Sequence, residues 1–139
     1  MQLASGCIKL YLMTLQQIYE LALDMGIKSD PRGSDGIKRL LARLKKEYSE
    51  MPEKKKKYFD RENLTNPYSD SRILFGDPKM QVKKVMAGID ADGEEVLLMD
   101  RLNEPRLDRG KKGEGIDLLI SHHPSGHALA SLDEVMDVQ

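Results

Sequence analysis

Apolar residues recur at helical spacing through the first half of this chain and fall into short blocks in the second, the change coming at Asn66. Leu15, Ile18, Tyr19, Ala22 and Met25 share one helical face. Thr14 with Gln17 three residues on forms a capping box ahead of them, and Gly26 is placed as the C-cap. The loop KSDPRGSDG (28–36) follows, then Ile37, Leu40, Leu41, Leu44 and Tyr48 mark a second helix from Ser34 to Glu50. Pro52 opens a short third segment, PEKKKKYFD.

Beyond Asn66 the period shortens. NPYSD is a turn cluster, SRILFG (71–76) a short strand, GDPKM a second turn and VKKVMAGID (82–90) another strand, so the two strands are expected to form an antiparallel hairpin. DGEEVLLMDRLNE (92–104) is a helix with Val96, Leu97, Met99 (or Asp100) and Leu102 on its apolar side. Glu94 and Glu95 favour its positive end, and Pro105 stops it. After the polar loop RLDRGKKGEG comes IDLLIS (116–121), an almost wholly apolar strand, and then ALASLDEVMDVQ, helical in pattern.

Strand, helix and strand over 82–121 make a βαβ unit with parallel strands, and a run such as DLLI suits a sheet covered on both faces. The expected fold class is therefore α/β: a helical N-terminal segment, a β-hairpin and a βαβ unit in a small mixed sheet with flanking helices, part of a layered domain. The chain divides into 1–12, a leader of uncertain origin; 13–66, helical; and 67–139, an α/β half-domain. The last helix reaches Gln139 with no cap or strand after it, so the pattern reads as the first half of something longer.

Composition narrows the function. Across 139 residues, 22 Lys plus Arg against 23 Asp plus Glu leave a net charge of −1, which gives no global attraction to nucleic acid or an acidic membrane. The Lys54–Lys57 run sits among Glu53, Asp60 and Glu62 without interleaved aromatics, so it reads as a solvated face. Cys7 is the lone cysteine, which rules out an internal disulfide framework and suits a reducing cytoplasm. LASGC (3–7) mimics a lipoprotein box, but Met1, Gln2 and Leu3 alone precede Ala4, and no apolar run reaches the ~20 residues of a membrane span.

The candidate chemistry lies in LLISHHPSGH (118–127), which holds all three histidines. Ligands gather beyond the carboxyl ends of parallel strands. His122 and His123 stand at that end of IDLLIS, and Asp90 stands at the matching end of VMAGID; a right-handed crossover puts both ends on one edge. Two imidazoles and a carboxylate suit Zn, Mn, Fe or another first-row divalent ion. Neighbours on a strand point to opposite faces, so the pair can share one ion only where the strand has begun to turn, as Pro124 favours. His127, near the start of the last helix, is a further candidate ligand, though a surface histidine near a cap is the simpler reading. Asp92 is better placed as a helix cap and Asp117 lies at the wrong end of its strand. Ser121 and Ser125 lack a nucleophile elbow, and GKKGEG lacks the strand and helix of a phosphate loop.

VKKVMAGID, a helix and IDLLISHHP together resemble the Nif-three-like family (NGG-one-interacting factor three), also known as type 2 GTP cyclohydrolase I homologues. The likeness spans Met13 to Gln139 and includes LTNPYSDSRILFGDP. It implies a layered α/β domain with a dinuclear metal site, in a ring-shaped homo-oligomer, with His122 and His123 as ligands and Asp90 as a neighbour of the site. The family's further ligands, an Asp and then a His and a Glu on a C-terminal helix, have no counterpart in this sequence. The expected function is a metal-dependent hydrolase of nucleotide-like or phosphorylated small molecules, of which this is the N-terminal part and inactive alone. The alternative is a non-enzymatic metal-binding or assembly module. A hydrolase keeps an open coordination position, whereas a structural site is closed.

Overall fold

The structure, a computed structural model, describes residues 12–105, 115–123, 126 and 129. The 1–12 leader apart from Leu12, the loop over 106–114, His127 and nearly all of the last helical pattern lie outside the described residues. The architecture is mixed α/β, with helices in the first half and a βαβ unit in the second.

Strand β1 (Met13–Thr14) runs into helix α1 (Leu15–Ser29) through the expected capping box. Thr14 Oγ1 accepts from the Gln17 N–H at 3.2 Å, and Gln17 Oε1 accepts from the Thr14 N–H at 2.8 Å. Two further N–H groups of the first turn find partners across the chain: Leu15 donates to the Met80 carbonyl and Gln16 to that of Pro78, both at 2.9 Å. Gly26 does not end the helix. It lies inside α1 where a Cβ would sit 3.1 Å from the Tyr68 ring, so its role is to admit that ring rather than to break the helix. Gly33, at φ 66°, starts α2 (Gly33–Glu50), and α3 (Glu53–Lys56) is a single turn. In that turn Lys56 pairs with Glu53 at 2.7 Å and lies over the Tyr48 ring, in keeping with a helix surface rather than a phosphate cradle. A 3-10 turn, Arg61–Leu64, is capped by Asp60.

The antiparallel pairing has a different partner from the one expected. Residues 71–76 form no strand; β2 (Gln81–Val82) instead pairs with β1, Met13 opposite Val82 and Thr14 opposite Gln81. The Ser71 carbonyl is taken by side chains, from Asn66 at 2.9 Å, Arg72 at 2.8 Å and, across the chain, Tyr19 at 3.2 Å, and is no longer available to a ladder. Gly76, at φ 115°, turns the chain against Leu15; Leu15, Ile37 and Val82 are among the buried apolar residues.

The βαβ unit follows the sequence closely. Strand β3 (Val85–Gly88), helix α4 (Gly93–Asn103) and strand β4 (Leu118–Ser121) are joined with β3 and β4 parallel, Val85 beside Leu118 through Gly88 beside Ser121. The two pairings are separate two-stranded sheets rather than one mixed sheet. Asp92 and Glu95 form the capping box of α4, and the Glu95 carboxylate accepts from the Asp92 N–H at 3.0 Å. The inward side of α4 is Glu95, Met99, Leu102 and Asn103; Val96 and Leu97, expected inside, are exposed together with Leu98. Among the described residues no helix is long and apolar enough to cross a membrane.

Candidate metal centre

Register decides what meets at the carboxyl edge, and it is fixed from the opposite end. There the Asp117 carboxylate accepts from the Lys83 and Lys84 N–H groups at 2.7 and 3.0 Å, while the Asp117 N–H donates to the Lys84 carbonyl at 2.9 Å. The two N–H donors hold the Asp117 carboxyl below the usual carboxylate range. Asp117 is thus a structural clamp, as its position at the wrong end of the strand implies. Asn103 adds a second clamp from α4, donating to the Ile116 carbonyl at 2.9 Å and accepting from its N–H at 2.7 Å.

With the register set, the pairing runs past the strands: His122 N–H reaches the Gly88 carbonyl at 3.0 Å and His123 N–H reaches that of Ile89 at 2.6 Å. Both follow Ser121, the last strand residue, and the chain bends there. The Ser121 hydroxyl lies 2.7 Å from the His123 carbonyl and 3.3 Å from that of Ile89, which secures the bend. The consequence for the side chains is large. In a continuing strand the two imidazoles would point to opposite faces; here their ring centroids lie 5.1 Å apart, with planes inclined at 35°.

Asp90 arrives from β3 as expected, and its contact is with a histidine: Asp90 Oδ1 lies 2.9 Å from His123 Nδ1. In the neutral ring an Nδ1–H donated to that carboxylate leaves Nε2 as the acceptor, the form and orientation in which imidazole binds metal. His122 and His123 are exposed, so the edge is open to solvent rather than enclosed. The donor set of two imidazoles with a carboxylate behind one of them fits a first-row divalent ion. Among the described residues no group of three or more His, Cys, Asp or Glu side chains converges to hold one unaided.

The more heavily engaged polar residues lie elsewhere and have no counterpart among the sequence candidates. Arg72, its side chain 6% exposed, donates to Asp60 at 3.1 Å, to the Tyr68 and Ser71 carbonyls at 2.5 and 2.8 Å, and to Asn63. Tyr19 bonds Glu62 and accepts from Asn66 at 2.7 Å; burial first, and the Glu62 carboxylate second, push its phenol well above the ordinary range. Asp30, its side chain 3% exposed, binds Arg32 through two contacts of 2.9 and 2.8 Å, which holds its carboxyl far below the usual value despite burial. Tyr68 donates to Asp30 at 3.0 Å, and burial followed by that carboxylate pushes its phenol up to about 12.

All these shifts lead away from neutral pH, so the groups keep one protonation state there and suit fixed hydrogen bonds rather than proton transfer. The only sequence signal was the density of polar residues in NLTNPYSDSR, which periodicity cannot parse. Two open grooves, of about 1180 and 820 Å³, border this network; neither His122 nor His123 lines them, so the candidate chemistry lies outside both.

No protein-family model matches the chain, and no curated protein or solved structure matches it.

Proposed function

We propose that this protein binds a divalent first-row metal through His122 and His123, with Asp90 orienting His123, and that the site belongs to a metal-dependent hydrolase of nucleotide-like or phosphorylated small molecules. The observation that carries the metal reading is the His123–Asp90 contact of 2.9 Å beside a second imidazole 5.1 Å away. A carboxylate behind a ligating histidine fixes the tautomer, aims the ring and raises its basicity. The hydrolase reading rests on the resemblance of VKKVMAGID and IDLLISHHP to the Nif-three-like family, which also suggests a pair of ions and a ring-shaped homo-oligomer.

Each residue then has a defined task. His122 and His123 would hold the ion by ring nitrogens, and His123 would use Nε2 because Nδ1 is turned to Asp90. Ser121 keeps the bend that brings the rings to one side. A divalent ion held there would contribute Lewis-acid polarisation of a phosphoryl or carbonyl oxygen and would make water easier to deprotonate. The chain's own contribution is to present nitrogen donors and leave the solvent side open.

Elemental mass spectrometry of untagged protein tests the metal reading. Near-stoichiometric Zn, Mn or Fe is expected, with loss in the His122→Ala/His123→Ala variant; an empty wild-type protein after dialysis against these ions would sink it. A second reading, an assembly module whose site is structural, is favoured by the exposed Val96, Leu97 and Leu98 on α4. Cobalt substitution separates the two. Added azide or phosphate changes the visible spectrum of an open site and leaves a closed one unaltered.

A further inference from the structure

The two faces of the β3–β4 pair are unlike. Pairing puts Val85 beside Leu118 and Ala87 beside Ile120 on one face, with Ile89 next along, and puts Met86 beside Leu119 on the other. Met86 and Leu119 are half-buried, whereas Val85 is 44%, Ile120 42% and Ile89 63% exposed. A parallel pair is stable when both faces are covered, so this apolar face lacks a cover among the described residues.

We infer that residues 128–139 of the same chain dock on this face as an amphipathic helix. Ala128, Leu129, Leu132, Val135 and Met136 fall on one stripe at helical spacing, while Asp133, Glu134 and Asp137 fall on the other side. Leu129, within the stripe, is exposed and so has apolar surface to lose. Twelve helical residues span about 18 Å, enough to cover a four-residue strand of roughly 13 Å.

The connection is also adequate. Residues 124–127 leave the carboxyl edge directly after His123 and can reach roughly 13 Å, enough to step from a sheet to a helix layer about 10 Å above it. Gly126, at φ 57°, takes the left-handed conformation that helps a chain reverse. A helix returning from that edge ends near Lys83 and Lys84 at the start of the strands, where two cations suit the negative end of its dipole. This inference is independent of the metal reading.

Hydrogen–deuterium exchange on the full chain tests it. In a Leu132→Asp/Met136→Asp variant, amides of 85–89 and 118–121 are expected to exchange roughly tenfold faster, with those of 15–29 unchanged as the control. Equal rates in the two proteins overturn the inference, and so does wild-type protection that rises with protein concentration, which would assign the cover to a second copy. A second measurement stands if the double variant loses its fold. In a Cys7→Ser background, Ile120→Cys and Leu132→Cys treated with a short bis-thiol reagent should give a cross-linked species of monomer mass. A cross-link found only in dimers, or none, overturns it.

Discussion

The helical half and the βαβ unit are stabilised by opposite means. From Leu15 to Arg72 the chain is tied by long-range polar contacts. Tyr19 reaches Glu62 and Asn66, Tyr68 reaches Asp30, and Arg72 reaches back to Asp60 and Asn63. Among the described residues no buried side-chain nitrogen or oxygen is without a partner. From Val82 to His123 the ties are a backbone ladder, the Asp117 and Asn103 clamps at one end and the Ser121 and Asp90–His123 contacts at the other, and among the described residues much apolar surface is left outside. The first region finds the partners of its polar groups within its own span, from residues distant in sequence. The second presents a sheet face and a helix side that need covering. What differs is where stability resides: in a satisfied network for one, and in surfaces still to be buried for the other.

Substitutions sharpen that contrast, and the largest effect belongs to the network. Arg72→Ala removes a nearly buried cation and strands the acids and carbonyls around it, so about 3–5 kcal/mol should be lost in urea denaturation. A loss under 1 kcal/mol would mean that the network is ornamental. Asp30→Asn comes next, at about 2 kcal/mol. Because the folded-state value of Asp30 is depressed, its contribution is present above the unfolded value and lost as pH falls below about 4. Wild-type melting temperature should therefore drop on that acid limb, and the variant should show a shallower limb.

The alkaline limb concerns the same cluster. Tyr68 is raised to about 12, so its neutral, hydrogen-bonded form contributes stability that is intact below about pH 10 and lost as pH rises toward 12. Tyr68→Phe should flatten that limb in pH-dependent thermal melts. In the βαβ unit, Asn103→Ala leaves the Ile116 N–H and carbonyl without the side chain that serves both, at a cost of about 1–2 kcal/mol. Its exchange signature should be confined to 85–88 and 116–121; acceleration across α1 as well would show the two regions to be one cooperative unit.

The smallest effect on stability is expected at the candidate metal centre. Asp90 and His123 are both exposed, and Asp90→Asn should shift stability by less than about 0.5 kcal/mol. Metal affinity measured by competition with a chelating dye should fall roughly 10- to 100-fold. Unchanged affinity would remove Asp90 from the site and leave the imidazoles to act without it.

Both regions were legible in the sequence to the extent that their signals are local. The capping boxes Thr14–Gln17 and Asp92–Glu95 need only a donor and acceptor three residues apart, and both formed. The parallel βαβ unit follows from period and chirality, so the sequence places Asp90, His122 and His123 on one edge. SRILFG failed as a strand because strand propensity is contextual, and here the Ser71 carbonyl is claimed by Asn66 and Arg72. Gly26 failed as a cap because its missing side chain serves a ring 42 residues away in sequence (Tyr68), a distance no window sees.

The sequence by itself determined the helix starts and the clustering of imidazoles at a strand's carboxyl end, which depend on residues within a few positions of one another, and the parallel pairing of β3 with β4, which follows from the chirality of the crossover. Tertiary structure alone decided three things. It gave β1 rather than 71–76 to β2. It turned neighbouring histidines to one side by ending β4 at Ser121, and it set the Asp90 carboxylate against His123. The physical reason is common to all three: which backbone group takes a hydrogen bond, and which way a side chain points after a strand ends, depend on partners brought together only by folding.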